Sequence, residues 1–195
     1  MVYSEFVSVD ALIRSVNRSL QKITVCEEER PVAVQIYGWL NSYSLYMDNL
    51  RPWYDRNLGR SFLENRAKAV AILQEENSLQ EIVKLVGQDA LSAGDRLTME
   101  TAKMIREDFL QQNAFVDIDN YSTYERQAML LDIILRYDTL CRKAVGDGAD
   151  LDQLIRIEAR DRIGRAKSVP SETYAEEYAR MADDMAAQIK EASHD

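Results

Sequence analysis

A chain of 195 residues with 46% apolar content is long enough to bury one sizeable core or two small ones. Its formal net charge of minus nine argues against phosphate backbones and anionic membranes as main partners, because both are held by clusters of Lys and Arg. No apolar run approaches the ~18 residues of a membrane span, and the opening MVYSEFVSVD lacks the basic start and apolar core of a signal peptide; a cytoplasmic chain with no direct membrane insertion is the expectation.

Residues 1–38 read as a helix on Val9, Leu12, Ile13, Val16 and Leu20, followed by ITVCEEERPVAVQI, which alternates like a short strand or an extended crossover near residues 23–36. The next stretch, WLNSYSLYMDNLRPWY, gathers Trp39, Tyr43, Tyr46, Trp53 and Tyr54 in a chain otherwise poor in aromatics. A stacking surface for a base or sugar and a packing corner both fit it. After Gly59 the positions Leu63, Ala67, Val70 and Leu73 follow helical spacing, and Ser78-Leu-Gln-Glu81 fits a capping box that would start a helix there. Ser92-Ala-Gly-Asp95 is a shorter-armed box, opening a helix with Leu97, Met104, Ile105 and Phe109 on one face. Ser122-Thr-Tyr-Glu125 predicts another start, with Leu130, Ile134, Tyr137, Cys141 and Val145 as its stripe and Gly146-Asp-Gly148 as its end. A last stripe runs through Tyr174, Tyr178, Met181, Met185 and Ile189, after Pro170 closes the preceding segment. With three prolines and seven glycines, the expected fold is all-α, a helical bundle over 39–190, with 1–38 separate from it and 191–195 a disordered tail.

The chemistry the residues can carry is limited. His194 is the single histidine, which excludes Ser/His/Asp and Cys/His machinery and any two-histidine metal site. Cys26 and Cys141 are far apart in sequence and read as reduced core thiols. Neither G-x-x-x-x-G-K-[ST] nor G-x-G-x-x-G occurs, so nothing here cradles a phosphate. Acid pairs such as Glu75-Glu76 and Asp183-Asp184 read as solvated helix faces. No catalytic residue and no metal ligand is assigned.

Longer blocks add to this. SYSLYMDNLRPWY, NLGRSFLENRAKAVAILQEENSLQEIVKLVGQDAL, RLTMETAKMIREDFLQQNAF, YSTYERQAMLLDIIL and RDRIGRAKSVPSETY together resemble the C-terminal helical domain of the catalytic A subunit of vacuolar and archaeal-type rotary ATPases, over about three quarters of the chain. The resemblance implies that Trp39, Tyr43, Tyr46 and Trp53 pack at the junction with an upstream nucleotide-binding domain. It implies that the turn Asp89, Ala90, Leu91, Ser92, Ala93, Gly94 and Asp95 faces the rotating shaft, while remaining an ordinary helix–helix turn capped by Ser92. Phe115 in QQNAF stands where relatives set an aromatic ring against the adenine; a core phenylalanine closing a helix end is the rival reading. The family's phosphate-binding loop, metal-binding carboxylate and water-orienting glutamate have no counterpart here, so ATP and magnesium belong to the full-length family and no hydrolysis is expected of this chain alone. The implied partners are the head subunits and the central stalk. A free-standing helical interaction protein derived from that domain is the alternative. Asn41 in place of the usual threonine, DIDNYST in place of a more constant stretch with a cysteine, and residues 1–38 all depart from the family pattern.

Overall fold

The computed structural model describes residues 51–111 and 122–193, and every element found there is helical. The expectations placed on 1–50, on 112–121 and on His194, including Trp39, Tyr43, Tyr46, Cys26 and Phe115, lie outside the described residues. Residues 51–57 are helical and break at Gly59, whose φ of 79° lies in the left-handed region. Then come α1 (Arg60–Val86), a 3-10 turn (Gln88–Ala90) and α2 (Ala93–Lys103), which runs on as a π-helical segment (Met104–Leu110). The chain continues through α3 (Tyr124–Gly146), α4 (Leu151–Leu154), α5 (Glu158–Gly164), a second 3-10 turn (Ala166–Ser168) and α6 (Tyr174–Ala192). The all-α expectation holds among the described residues, and α6 continues through Ala192, into the five residues expected as a tail.

α3 is the central helix because it is apolar on two sides. Leu130, Ile134, Tyr137 and Cys141 are buried as the spacing predicts, and so is a neighbouring row of Leu131, Leu135 and Asp138. One side meets the α1–α2 hairpin and the other meets α6, which buries Tyr178, Met181, Met185 and Ile189. The helix stops at Gly146, where Gly148 at φ 104° lets the Ala149 amide turn back and donate to the Ala144 carbonyl at 2.9 Å.

Three local expectations fail, for physical reasons. Ser78 is no cap: α1 runs unbroken from Arg60 to Val86, since a cap needs a break in the chain upstream and none occurs. At α3 the cap is Thr123, whose hydroxyl accepts from the Arg126 amide at 3.3 Å, one residue after the Ser122 predicted. The buried face of α1 is Asn65, Ala69, Leu73, Glu76 and Leu79, so of the predicted stripe only Leu73 is buried; Leu63 and Val70 are half-buried and Ala67 is exposed. Polar partners on the π-helical segment and α3 decide this face. Asn65 donates to Asp132 Oδ1 at 2.9 Å and Glu76 pairs with Arg106.

In the π-helical segment the Gln111 amide donates to the Arg106 carbonyl at 2.9 Å, five residues back. The wider turn keeps Met104, Ile105, Phe109 and Leu110 all buried, whereas an α-helical turn would swing the second pair away from the face of the first.

Candidate functional site

The hairpin tip is built from a helix stop and a helix start six residues apart. α1 ends because Gly87 takes φ 87°, with its amide still donating to the Val83 carbonyl at 2.9 Å. α2 begins at Ser92 with a reciprocal box: the Asp95 amide donates to Ser92 Oγ at 3.1 Å, and the Ser92 amide and hydroxyl donate to Asp95 Oδ2 at 3.3 and 2.7 Å. The expected box at Ser92 is therefore present. Arg96 pairs with Asp152, tying the first turn of α2 to α4. Asp89, Ala90, Ser92 and Ala93 are exposed, while Leu91, Gly94 and Asp95 are half-buried.

Beside this turn α1 presents Ile82, Leu85 and Val86, exposed by 44%, 84% and 63%. Their spacing puts them on one face of the last turn of α1. Among the described residues, the other large exposed apolar side chains are Trp53 and Tyr124, and those two touch, with ring centroids 5.6 Å apart edge to face. Among the described residues, the large exposed apolar side chains thus fall at the tip and at an aromatic corner near the start of α1. In that corner Tyr54 is buried, stacks on Phe62 at 5.4 Å and meets Trp53 edge-on at 5.2 Å. Because α1 has 27 residues, the corner and the tip are about 40 Å apart along the helix.

Between the two ends, the interior carries more charge than the sequence suggested. Glu76, read as part of a solvated face, is 2% exposed and bonded by Arg106 Nη2 at 2.8 Å, Arg106 Nε at 3.2 Å and Gln80 Nε2 at 3.1 Å. Its place three residues from both Leu73 and Leu79 was the available signal. Arg160 reaches from α5 to Glu100 Oε1 at 2.9 Å and Asp108 Oδ2 at 3.1 Å. Burial raises the Asp108 carboxyl above its ordinary value, against the opposing pull of Arg160 and Lys167. Arg126, 4% exposed, donates to the carbonyls of Ala166, Lys167 and Val169 at 3.3, 2.8 and 2.7 Å. Nothing in its local sequence marks it, since its partners lie some forty residues on. Cys141 is buried, and burial pushes its thiol up to about 12, so it is no nucleophile at neutral pH. Among the described residues no group of three His, Cys, Asp or Glu could hold a metal ion, and no helix is long and apolar enough to cross a membrane. This arrangement can pack, pair charges and present two surfaces.

Residues 51–155 match the family described as the C-terminal domain of V and A type ATP synthase. The chain is 48% identical over 136 residues to the V-type ATP synthase alpha chain of Clostridium novyi, covering 69% of this chain and 23% of that one. Against the A subunit of the A-type ATP synthase of Methanosphaera stadtmanae the identity is 45% over 137 residues, covering 70% and 23%. For the V-type ATP synthase alpha chain 1 of Clostridium tetani the identity is 49% over 132 residues, covering 68% and 22%. The chain thus spans under a quarter of the length of these curated relatives.

Proposed function

Because this chain belongs to the family of the C-terminal domain of V- and A-type ATP synthases, we propose that it is the helical lever of a catalytic A subunit, coupling nucleotide binding and hydrolysis in an ATPase head to a central rotor. The observation that carries the reading is the exposed apolar face of Ile82, Leu85 and Val86 at a stiff, doubly capped tip. A tip that must slide against a moving partner needs shape and apolar contact more than fixed ion pairs. Here the Asp95 carboxylate is engaged by Ser92, which leaves Asp89 as the exposed acid of the turn Asp89–Asp95.

At the opposite end, Trp53 with Trp39, Tyr43 and Tyr46 would pack against the nucleotide-binding domain, and Phe115 would lie on the adenine. Gln111, four residues before Phe115, is roughly 25 Å along the α2 helix from the tip. Closure of the nucleotide end then becomes a displacement at the rotor end through rigid-body motion of a packed bundle. Phosphate and magnesium binding would fall to the upstream domain, so this chain hydrolyses nothing alone. Residues 39–190 would form the lever and 1–38 a separate segment, on the cytoplasmic side as part of a peripheral membrane complex.

A photo-cross-linking side chain at position 85, in the assembled head, tests the rotor-facing role. The expected product is an adduct with the central stalk. Adducts formed only with neighbouring head subunits would overturn it.

A further inference from the structure

A cavity of about 370 Å³ opens where α1 and α4 lie on either side of α2. Its floor is one face of α2: Arg96, Met99 and Lys103 follow at three and four residues, and Arg106 continues the row one turn further on. That row is about 15 Å long. α1 supplies one wall through Glu76 and Gln80, and the stretch that forms α4 supplies the other through Leu151 and Ile155. Gln88 and Leu91 close the end nearest the tip. Ile82, Leu85 and Val86 do not line it, so the cavity is separate from the apolar face assigned to the rotor.

Its charges are matched with one exception. Three cations and two carboxylates line it. Glu76 is held by Arg106, Glu100 by Arg160 Nε at 2.9 Å from α5, and Arg96 by Asp152. Lys103 is left over: no described residue bonds or pairs with its ammonium. In a chain of net charge minus nine, acids are plentiful, yet none of the described ones meets this cation. Next to it, Arg106 turns Nε and Nη2 to Glu76, which leaves Nη1 as a second donor without a described acceptor. Away from these donors the lining becomes apolar, with Met99, Leu91 and Ile155 half-buried and Leu151 buried. The volume lies at the low end of the range of small-molecule sites, enough for a ligand of roughly ten non-hydrogen atoms.

We propose that this cavity binds a small organic carboxylate with a short apolar body, its carboxylate accepting from Lys103 Nζ and Arg106 Nη1 and its body lying over Met99 toward Leu91 and Ile155. One uncompensated positive charge matches one carboxylate, and a more highly charged ligand would meet Glu76 and Glu100 without further cations to offset them. The two donors stand on one rigid helix face and Arg106 is already oriented by Glu76, so little ordering is needed when the ligand arrives. The site depends neither on the rotor contact nor on any nucleotide.

The test is titration of the purified 195-residue chain with phenylacetate, followed by amide NMR and thermal melting. Saturable shifts are expected at Gln80, Gln88, Lys103 and Ile155, with a Kd on the order of 1 mM. At ~10 mM ligand the melting temperature should rise by about 3–6 °C. Phenylacetamide, which keeps the ring and loses the charge, and acetate, which keeps the charge and loses the ring, should each bind at least about tenfold more weakly. Lys103→Met keeps the aliphatic stem and removes the ammonium; it should weaken phenylacetate about tenfold, while Lys103→Arg stays within about threefold. Because Lys103 is exposed and unpaired, neither variant should move the urea midpoint, so lost binding could not be put down to lost folding. Equal binding of phenylacetamide, an unchanged Kd in Lys103→Met, or shifts scattered over other basic surface would each overturn the site.

Discussion

Removing Arg106 should destabilise the bundle far more than replacing the residue it pairs with. Glu76 is 2% exposed, accepts hydrogen bonds from Arg106 and Gln80 and has a further ion-pair contact with Arg106, so Arg106→Ala leaves a buried carboxylate with Gln80 alone. Stranding one member of a buried pair costs about 3–5 kcal/mol. Arg106 is itself 40% exposed, so water can enter the space it vacates, and the expected loss falls to about 2–3 kcal/mol. Glu76→Leu instead extends the buried row of Leu73 and Leu79 and frees Arg106 to turn into solvent. The apolar side chain contributes ~1.5–3 kcal/mol on burial, which offsets the lost pair to within about 1 kcal/mol. Urea unfolding of the purified chain followed by circular dichroism would measure both, and the Arg106→Ala loss corresponds to a melting shift of about 5–10 °C. In the Glu76→Leu background, Arg106→Ala should cost almost nothing. Equal effects of the two single substitutions would mean that Glu76 is solvated in solution, and the electrostatic account of α1 would be wrong.

Ser92→Ala removes the acceptor for the Asp95 amide and should cost about 1 kcal/mol in the same urea titration, whereas Ser78→Ala, at a mid-helix position, should change stability by less than about 0.5 kcal/mol. Asp108 binds its proton more tightly in the folded than in the unfolded chain, so its contribution to stability is complete below pH 3.8 and is lost as pH rises through the higher folded value. Stability measured against pH should therefore fall less steeply just above pH 3.8 in Asp108→Asn than in the parent chain, and identical slopes would contradict the burial of that carboxyl. Cys141, with its thiol raised to about 12, should resist a thiol reagent at pH ~8 in native buffer and react fully in ~6 M guanidinium, read by peptide mass mapping; rapid native labelling would show that α3 is not the central helix. Leu85→Glu should uncouple hydrolysis from rotation in the assembled head while leaving the urea midpoint of the isolated chain unchanged, because Leu85 is 84% exposed and contributes little to the core; full coupling in that variant would count against the tip as the rotor contact.

Local rules were sufficient wherever a residue's neighbours in sequence decide its environment. The helical class, the Ser92–Asp95 cap, the Gly146–Gly148 stop and the stripes of α3 and α6 all follow from spacing and turn chemistry, because each concerns atoms within a few residues. The family resemblance likewise rests on contiguous blocks such as IREDFLQQNAF and RDRIGRAKSVPSETY, which survive without reference to any fold. What the sequence could not supply are the pairings that cross the chain: Glu76 with Arg106, Asp138 with Thr101, Arg160 with Asp108, and Arg126 with a turn some forty residues on. A charged residue looks solvated in a helical pattern unless its partner is known, and burial of a charge is decided by whether that partner arrives with it. Whether a serine caps a helix is decided the same way: Ser78 has the motif of Ser92, yet Leu73, Glu76 and Leu79 dock on one continuous face, and tertiary packing carries α1 straight through it.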